Sequence, residues 1–117
     1  MIKRKDGHKT TVTEKPFGAE GELNAVCLID SPEELYGKGR LFNICTLEPG
    51  SGLGYHVHMG DGEFYHILTG EGEYSDNGRI TPLRAGDTAF CPDGEGHSIK
   101  NTSQVPLSFV ALIIYSK

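Results

Sequence analysis

The chain has 117 residues, the size of one small domain with a single hydrophobic core. Sixteen acidic residues against 11 basic ones give a formal net charge of -5, which argues against nucleic acid as the main partner. The sequence has no long apolar run and no signal-peptide pattern, so we expect no membrane partner. Its cysteines, Cys27, Cys45 and Cys91, are scattered and odd in number, which favours reduced thiols in a cytoplasmic protein.

The first predicted elements are strands separated by a short irregular segment. Residues 1–15 are polar and predict a loosely held strand, whereas residues 21–29 alternate as a half-buried strand does. Residues 40–48 are apolar on both faces, which predicts a strand covered on both sides. Between them, Ser31-Pro32-Glu33-Glu34 forms a capping-box signature. We expect a single helical turn there that serves as a connector, and the alternative is a lid at a pocket mouth.

The later elements are short strands punctuated by glycine and proline. Strands are predicted over residues 63–68, 73–75, 79–83, 87–91 and 97–101. Asp76-Asn77-Gly78 predicts a hairpin turn, and Pro82 predicts a sheet edge. The final segment, 106–115, is apolar on both faces, so another chain or the N-terminal strands must cover its second face. Together these patterns predict an all-β sandwich or barrel with at most one or two short helical turns.

Two glycine-bounded stretches, residues 50–70 and 86–101, contain a possible metal-ligand set: His56, His58, Glu63 and His97. Imidazoles together with a carboxylate suit a divalent transition metal. His56 and His58 are two residues apart, so in a strand both side chains leave the same face. The short loop before Glu63 can reverse the chain, and we expect the next strand to start beside His58. His97 completes the set if the second hairpin folds over the first.

Other reactive side chains lie near these four. Tyr65 shares the parity of Glu63, which makes it the best candidate for a catalytic acid or base; the alternative is an ordinary barrel aromatic. Cys91 is interpreted as a buried, inert thiol rather than a pocket residue. His66 has the opposite parity, so we expect it to face away from the metal and to serve in packing; the alternative is a subunit contact.

The two stretches match the paired motifs of a known family. The first motif, G-x5-H-x-H-x4-E-x6-G, is met at Gly50, His56, His58, Glu63 and Gly70. The second motif, G-x5-P-x-G-x2-H-x3-N, is met at Gly86, Pro92, Gly94, His97 and Asn101. With all these positions in the correct order, the chain resembles a small single-domain cupin of the Cupin 2 or RmlC-like jelly-roll superfamily.

The resemblance implies one cupin domain over residues 1–117, with N-terminal strands in residues 1–48 followed by the two motifs. It implies a double-stranded β-helix, or jelly roll, with the site inside the barrel. Such proteins commonly dimerise, often through an exchanged N-terminal strand, so a homodimer is expected. The resemblance also implies one divalent metal per chain (iron, manganese, zinc, nickel or cobalt) bound by His56, His58, Glu63 and His97.

The function implied by the resemblance falls into two classes. A divalent metal with this ligand set keeps open positions and a net charge of about +1, which suits a small polar or anionic metabolite. The first class is a metal-dependent enzyme of dioxygenase, isomerase, lyase or decarboxylase type. The alternative is a non-catalytic module that binds or senses a small sugar or acid. A metal-free sugar-nucleotide epimerase is a weaker match because the ligand set is intact.

Overall fold

The chain forms ten strands, and the computed structural model describes all residues from 1 to 117. The strands are β1 Thr10–Glu14, β2 Glu22–Cys27, β3 Gly39–Leu47, β4 Gly52–Val57, β5 Asp61–Thr69, β6 Glu71–Asp76, β7 Arg79–Arg84, β8 Thr88–Cys91, β9 Gly96–Lys100 and β10 Leu107–Tyr115. Three short 3-10 turns occupy Lys5–Gly7, Pro16–Gly18 and Pro32–Leu35. None of these turns has the length and apolarity that a bilayer-spanning helix needs.

The strands pair into two antiparallel sheets that pack face to face. One sheet has six strands in the order β1-β2-β3-β10-β5-β8, and the other has four in the order β4-β9-β6-β7. Alternate side chains of each strand point between the sheets and form the core. Its most deeply buried members are Leu47, Tyr65, Ile67, Tyr74, Ile99, Leu107, Phe109 and Ala111. The all-β jelly-roll fold expected from the sequence is therefore confirmed.

β10 lies at the centre of the six-stranded sheet, between β3 and β5. On its inner face Leu107 and Phe109 are fully buried, whereas Val110 and Leu112 on its outer face are half-buried. β1 and β2 continue the same sheet beyond β3 instead of folding over its outer face. The N-terminal strands therefore leave that apolar face uncovered within one chain.

The hairpin predicted at residues 76–78 is confirmed. Asp76 pairs with Arg79, and the two residues between them have positive φ, 52° for Asn77 and 98° for Gly78. Positive φ at both central positions defines the tight turn that asparagine and glycine favour. The second strand of the hairpin, β7, lies at the sheet edge, where the proline at position 82 is tolerated.

The helical content differs in detail from the expectation. The structure has three 3-10 turns rather than one or two, and the capping box predicted at residues 31–34 does not form. Ser31 Oγ donates to Glu33 instead of capping the backbone, and Glu34 pairs with Lys3. The Glu34 carboxylate also accepts from the backbone N–H of Asp30, at 3.3 Å, and not from that of Ser31, which a capping box requires. No residue of 30–39 lines the main cavity, which agrees with a connector rather than a lid.

The arrangement expected for the first motif is wrong in one respect. The loop before Glu63 does not make a hairpin, because β4 and β5 belong to different sheets. Both edges of β5 are occupied, by β10 and by β8, and β4 pairs with β9 instead. The chain crosses from one sheet to the other through Met59 and Gly60, the latter with a φ of 81°. The two halves of the motif therefore face each other across the barrel.

Candidate metal centre

Four potential ligand side chains converge between the sheets. β4 carries His56, His58 follows the end of that strand, β5 carries Glu63, and β9 carries His97. His56 and His97 are direct partners in the β4–β9 ladder, so their side chains leave the same face of the smaller sheet. One ligand atom from each of the four residues lies within 4.8 Å of the others. The structure thus brings together the set that the sequence predicts.

The separations among these atoms fit a divalent metal. His97 Nε2 lies 3.0 Å from His56 Nε2 and 3.2 Å from both His58 Nε2 and Glu63 Oε1. His58 Nε2 lies 3.1 Å from Glu63 Oε1. Two ligands that bind a metal at about 2.1 Å and subtend a right angle at it are about 3.0 Å apart. The four side chains therefore have the spacing and the chemistry of neighbouring ligands to one transition metal.

The other ring nitrogen fixes the orientation of two of the histidines. His56 Nδ1 donates to the Gly54 carbonyl oxygen at 2.8 Å, and His58 Nδ1 donates to Asp61 Oδ1 at 2.7 Å. A carbonyl and an ionised carboxylate only accept hydrogen bonds, so each neutral imidazole carries its proton on Nδ1. The Nε2 lone pairs of both rings therefore face the common point, as metal binding requires.

His97 is held by two aromatic residues and is fully buried. Its Nδ1 lies 2.9 Å from the Tyr74 hydroxyl group, and the Tyr65 ring stacks on its imidazole with centroids 4.8 Å apart. Burial lowers the pKa of His97, which keeps the ring neutral and able to act as a ligand. Sequence analysis missed Tyr74, because β6 and β9 become neighbours only through the sheet topology.

Behind His58 lies a charged pair that sequence analysis also missed. Asp61 accepts from His58 on one oxygen and from Arg40 Nε on the other, the latter at 2.9 Å. Burial alone would raise the pKa of Asp61, but the hydrogen bonds from Arg40 and His58 lower it below its usual range. The ionised carboxylate therefore orients His58. The sequence contained one signal for this role of Asp61, namely its position three residues after His58, a potential ligand.

Glu63 is ionised in spite of its burial. Burial opposes the charge, but the imidazoles of His58 and His97, whose Nε2 atoms lie 3.1 Å and 3.2 Å from Oε1, hold the pKa of this carboxyl far below its ordinary value. The hydrogen bond to Glu63 is also the main reason why the pKa of His58 is raised. In the metal-free protein, His58 is thus the member of the cluster that favours a proton. A metal bound at this cluster would displace that proton, so we expect metal affinity to increase as the pH rises through the pKa of His58.

The cluster opens into a cavity of about 370 Å³. Ten of the 16 residues that line it are hydrophobic, and its only lysine or arginine is Arg40. The apolar part of the wall consists of Phe17, Leu23, Leu41, Cys45, Leu53, Val57, Met59, Tyr65, Ala111 and Ile113. A ligand that enters therefore meets a hydrophobic wall, with charged groups at the metal cluster and at Arg40.

Tyr65 lies on the wall of this cavity, on the same face of β5 as Glu63. Burial, followed by the negative charge of Glu63, raises the pKa of the phenol well above its usual value. The side chain therefore stays protonated at any physiological pH. These facts agree both with a packed barrel aromatic and with an acid in the pocket.

Two further predicted positions are resolved. His66 is exposed on the outer face of β5 and hydrogen-bonds to Thr88, so it faces away from the cluster as predicted. Cys91 is buried, lies outside the cavity lining and has its pKa raised by burial to about 11. It is therefore the inert thiol that the sequence indicates, and all three cysteines are free.

Comparisons with known proteins agree with this description. The Cupin_2 family, described as Cupin domain, matches residues 43–115. The chain is 46% identical over 97 residues to an oxalate-binding protein from Thermotoga maritima, covering 83% of this chain and 79% of the relative. A crystal structure of a predicted oxalate decarboxylase from Thermotoga maritima has a TM-score of 0.93 and 41% identity, covering 98% of this chain and 99% of that one.

The fold is also shared with more distant proteins. A sugar phosphate isomerase of the cupin superfamily from Silicibacter pomeroyi has a TM-score of 0.78 over 99% of this chain and 76% of that one. Its identity is 21%, so this likeness concerns the fold alone.

The carboxylate behind His58 generates a testable prediction. Asp61→Asn keeps the shape of the side chain but removes the charge that orients the imidazole, so we expect metal affinity to fall by about 10- to 100-fold. Competition of the protein with a chromophoric chelator for Zn²⁺ measures this. Asp87→Asn is the matched control, because Asp87 is exposed and accepts only from the Arg84 backbone. Equal affinities for the two variants would contradict the assigned role of Asp61.

Proposed function

Because the chain belongs to the Cupin_2 family, we propose that it is a metal-dependent binding protein for a small dicarboxylate of the oxalate type. The metal ligands in this proposal are His56, His58, Glu63 and His97. The observation that carries it is the convergence of four ligand atoms, with the outer nitrogen of each histidine engaged by another group. The name of the 46%-identical relative supports oxalate as the ligand type.

Charge in the cavity supports an anionic ligand. Arg40 and Asp61 neutralise each other, and Glu63 supplies one negative charge to the ligand set. A divalent metal bound there supplies a net positive charge and open coordination positions for ligand oxygens. A chelating dianion satisfies both requirements, whereas a neutral sugar satisfies only the second.

Arg40 is the residue that we assign to the carboxylate end of the ligand. Its Nε donates to Asp61, and this is the only hydrogen bond that its guanidinium makes. The remaining N–H groups therefore stay available beside the cavity, where Arg40 is the only lysine or arginine. A guanidinium matches a carboxylate in shape as well as charge, so Arg40 favours a carboxylate over other anions.

The proposal is tested by metal content and ligand binding together. His58→Ala removes one ligand, and we expect bound metal to fall at least about tenfold while the circular dichroism spectrum stays all-β. The matched control is His66→Ala, on the outer face of β5, which should keep the metal content of the wild type. Metal is measured by mass spectrometry on protein purified without a chelator or a metal-binding tag.

Calorimetry then tests the dicarboxylate. We expect oxalate to release heat with the metal-loaded wild type and with His66→Ala, but not with metal-free protein or with His58→Ala. Full metal occupancy in His58→Ala would falsify the ligand assignment. Oxalate binding of equal strength with and without metal would contradict metal-dependent recognition.

A second candidate function is decarboxylation of the bound dicarboxylate, and the observation that favours it is the position of the Tyr65 phenol in the cavity wall beside Glu63. In this reaction the carbon–carbon bond of oxalate breaks, carbon dioxide leaves, and the electron pair takes up a proton to give formate. Tyr65 is the side chain that we assign to this proton transfer, because its phenol lines the cavity on the same face of β5 as Glu63. The name of the 41%-identical solved relative supports this reaction type.

Turnover is tested by formate release from oxalate. If Tyr65 is the acid, Tyr65→Phe lowers kcat by about 10²- to 10⁴-fold and leaves oxalate affinity unchanged. The matched control is Tyr55→Phe, because Tyr55 is a tyrosine on the exposed side of β4. Phe109→Tyr is not used as a control because the Phe109 side chain is fully buried. No formate from the metal-loaded wild type leaves binding as the function.

We also propose that two chains associate through the outer face of the six-stranded sheet. The register places Phe90, Phe64, Leu112 and Phe42 side by side across that face. The next row consists of Thr88, His66, Val110, Ile44 and Val26. Seven of these nine side chains are apolar, and a largely apolar exposed face is typical of an interface with another protein chain. The free thiols support the cytoplasm as the location of this dimer.

The self-association is tested by light scattering coupled to size exclusion. We expect a mass of twice the 12.7 kDa of one chain for the wild type. Val110→Asp places a charge in the middle of the proposed interface and should give the mass of one chain, because an unpaired charge is costly to bury. The control is Ile80→Asp, on the exposed edge strand β7, which should remain dimeric. A monomeric wild type at micromolar concentration would refute the proposal.

A further inference from the structure

A short N-terminal turn lies directly against the proposed metal centre. Residues 15–18, here called the strap, lie against β4 at Gly54, and the Phe17 ring stacks on the His56 imidazole. The ring centroids are 4.0 Å apart and the ring planes differ by 14°. Phe17 also lines the cavity, yet 63% of its surface is exposed. A large aromatic side chain is therefore held at the solvent side of one potential ligand.

The backbone of the strap adopts an unfavourable conformation to place this ring. Lys15 and Phe17 both have left-handed backbones, with φ of 45° and 51°. Residues with side chains are strained there, and such strain persists only where the surrounding structure enforces it. The strap is enforced by hydrogen bonds from Lys15 N to Gly21 O and from Gly18 N to Lys15 O. Strained backbone conformations concentrate at functional sites, so the strain here indicates that the position of the Phe17 ring matters for function.

Gly54 links the strap to His56. A side chain at Gly54 would overlap the Phe17 carbonyl oxygen, so only glycine lets the strap approach β4 this closely. The carbonyl oxygen of the same glycine accepts the hydrogen bond from His56 Nδ1. One residue therefore seats the strap and fixes one edge of the imidazole.

His56 differs from the other two histidines in how it is held. His58 and His97 are buried, and each has a side-chain partner on Nδ1, namely Asp61 and Tyr74. The His56 side chain is 14% exposed, and its Nδ1 partner is a backbone carbonyl next to a bulge in β4. A single hydrogen bond at Nδ1 still allows the His56 imidazole to rotate about that nitrogen. The stacked Phe17 ring is the contact that restrains this rotation.

We propose that Phe17 is a positioning residue of the metal centre. Its ring fixes the plane of His56 and covers the solvent side of that imidazole, and both effects retain the metal. This inference rests on the proposed metal binding at the four-residue cluster. It adds a part of the N-terminal segment to a site whose ligands all come from residues 56–97.

The experiment measures cobalt binding and release in the full chain. Phe17→Ala removes the ring, Phe17→Gly removes the ring and relieves the backbone, and Phe17→Tyr keeps an aromatic ring. Tyr36 provides the matched controls Tyr36→Ala and Tyr36→Gly, because it is also an exposed aromatic with a left-handed backbone, φ of 55°, away from the cavity. Co²⁺ absorbance gives affinity and ligand geometry, excess chelator gives the release rate, and thermal unfolding without metal gives stability.

We expect both ring-deleting variants at position 17 to lose affinity by about threefold to tenfold and to release cobalt faster by a similar factor. Their losses should be equal, although Phe17→Gly melts at a higher temperature than Phe17→Ala because glycine tolerates positive φ. Phe17→Tyr should bind and release cobalt like the wild type. Tyr36→Ala and Tyr36→Gly should show the same difference in melting temperature with no change in affinity.

Two results overturn the inference. One is wild-type affinity and release in Phe17→Ala and Phe17→Gly. The other is a loss of affinity that follows melting temperature across all the variants, since this would make the strap a purely structural element. Failure of the proposed function is a separate outcome: there, the wild type itself binds no cobalt.

Discussion

Three imidazole nitrogens and one carboxylate oxygen face one another inside the barrel, and much of the surrounding structure exists to hold them there. Polar atoms at this depth are unfavourable unless each has a partner. Every outer nitrogen is therefore engaged: a backbone carbonyl holds His56, a carboxylate holds His58, and a phenol group lies against His97. No buried side-chain nitrogen or oxygen lacks a hydrogen-bond partner. These outer hydrogen bonds orient the side chains, so the nitrogen and oxygen atoms that face one another remain available to a metal.

The two sheets contribute different potential ligands to the candidate metal site. The smaller sheet aligns His56 and His97 by direct pairing of β4 with β9, whereas the larger sheet brings Glu63 from the opposite side on β5. Packing of the sheets then sets the distance between the two groups of ligands. The same packing between the sheets therefore forms both the hydrophobic core and the candidate metal site. Tyr65, whose ring stacks on His97, is part of both.

Sequence reasoning identified the elements whose signals are local. The hairpin at Asn77 and Gly78 depends on two adjacent residues, and the four potential ligands follow from motif spacing and strand parity. What it missed depends on distant partners. A loop of a given length permits either a hairpin or a crossing between sheets, and only the competition of β10 for β5 decides between them. Likewise, Glu34 pairs with the distant Lys3 rather than forming a capping box, and Asp61 is held ionised in part by the distant Arg40.

The position of β10 has a consequence for how the protein is made. The strand that carries Glu63 gains its inner neighbour only from residues 107–115, which are synthesised after all four potential ligands. Until then β5 lacks a partner on that side, and β3 is likewise missing the strand that joins it to β5. The nascent chain therefore exposes the ligands before it can hold them in place. The proposed metal centre is therefore complete only after residues 107–115 have paired with both β3 and β5, and we expect metal to bind late in folding rather than early.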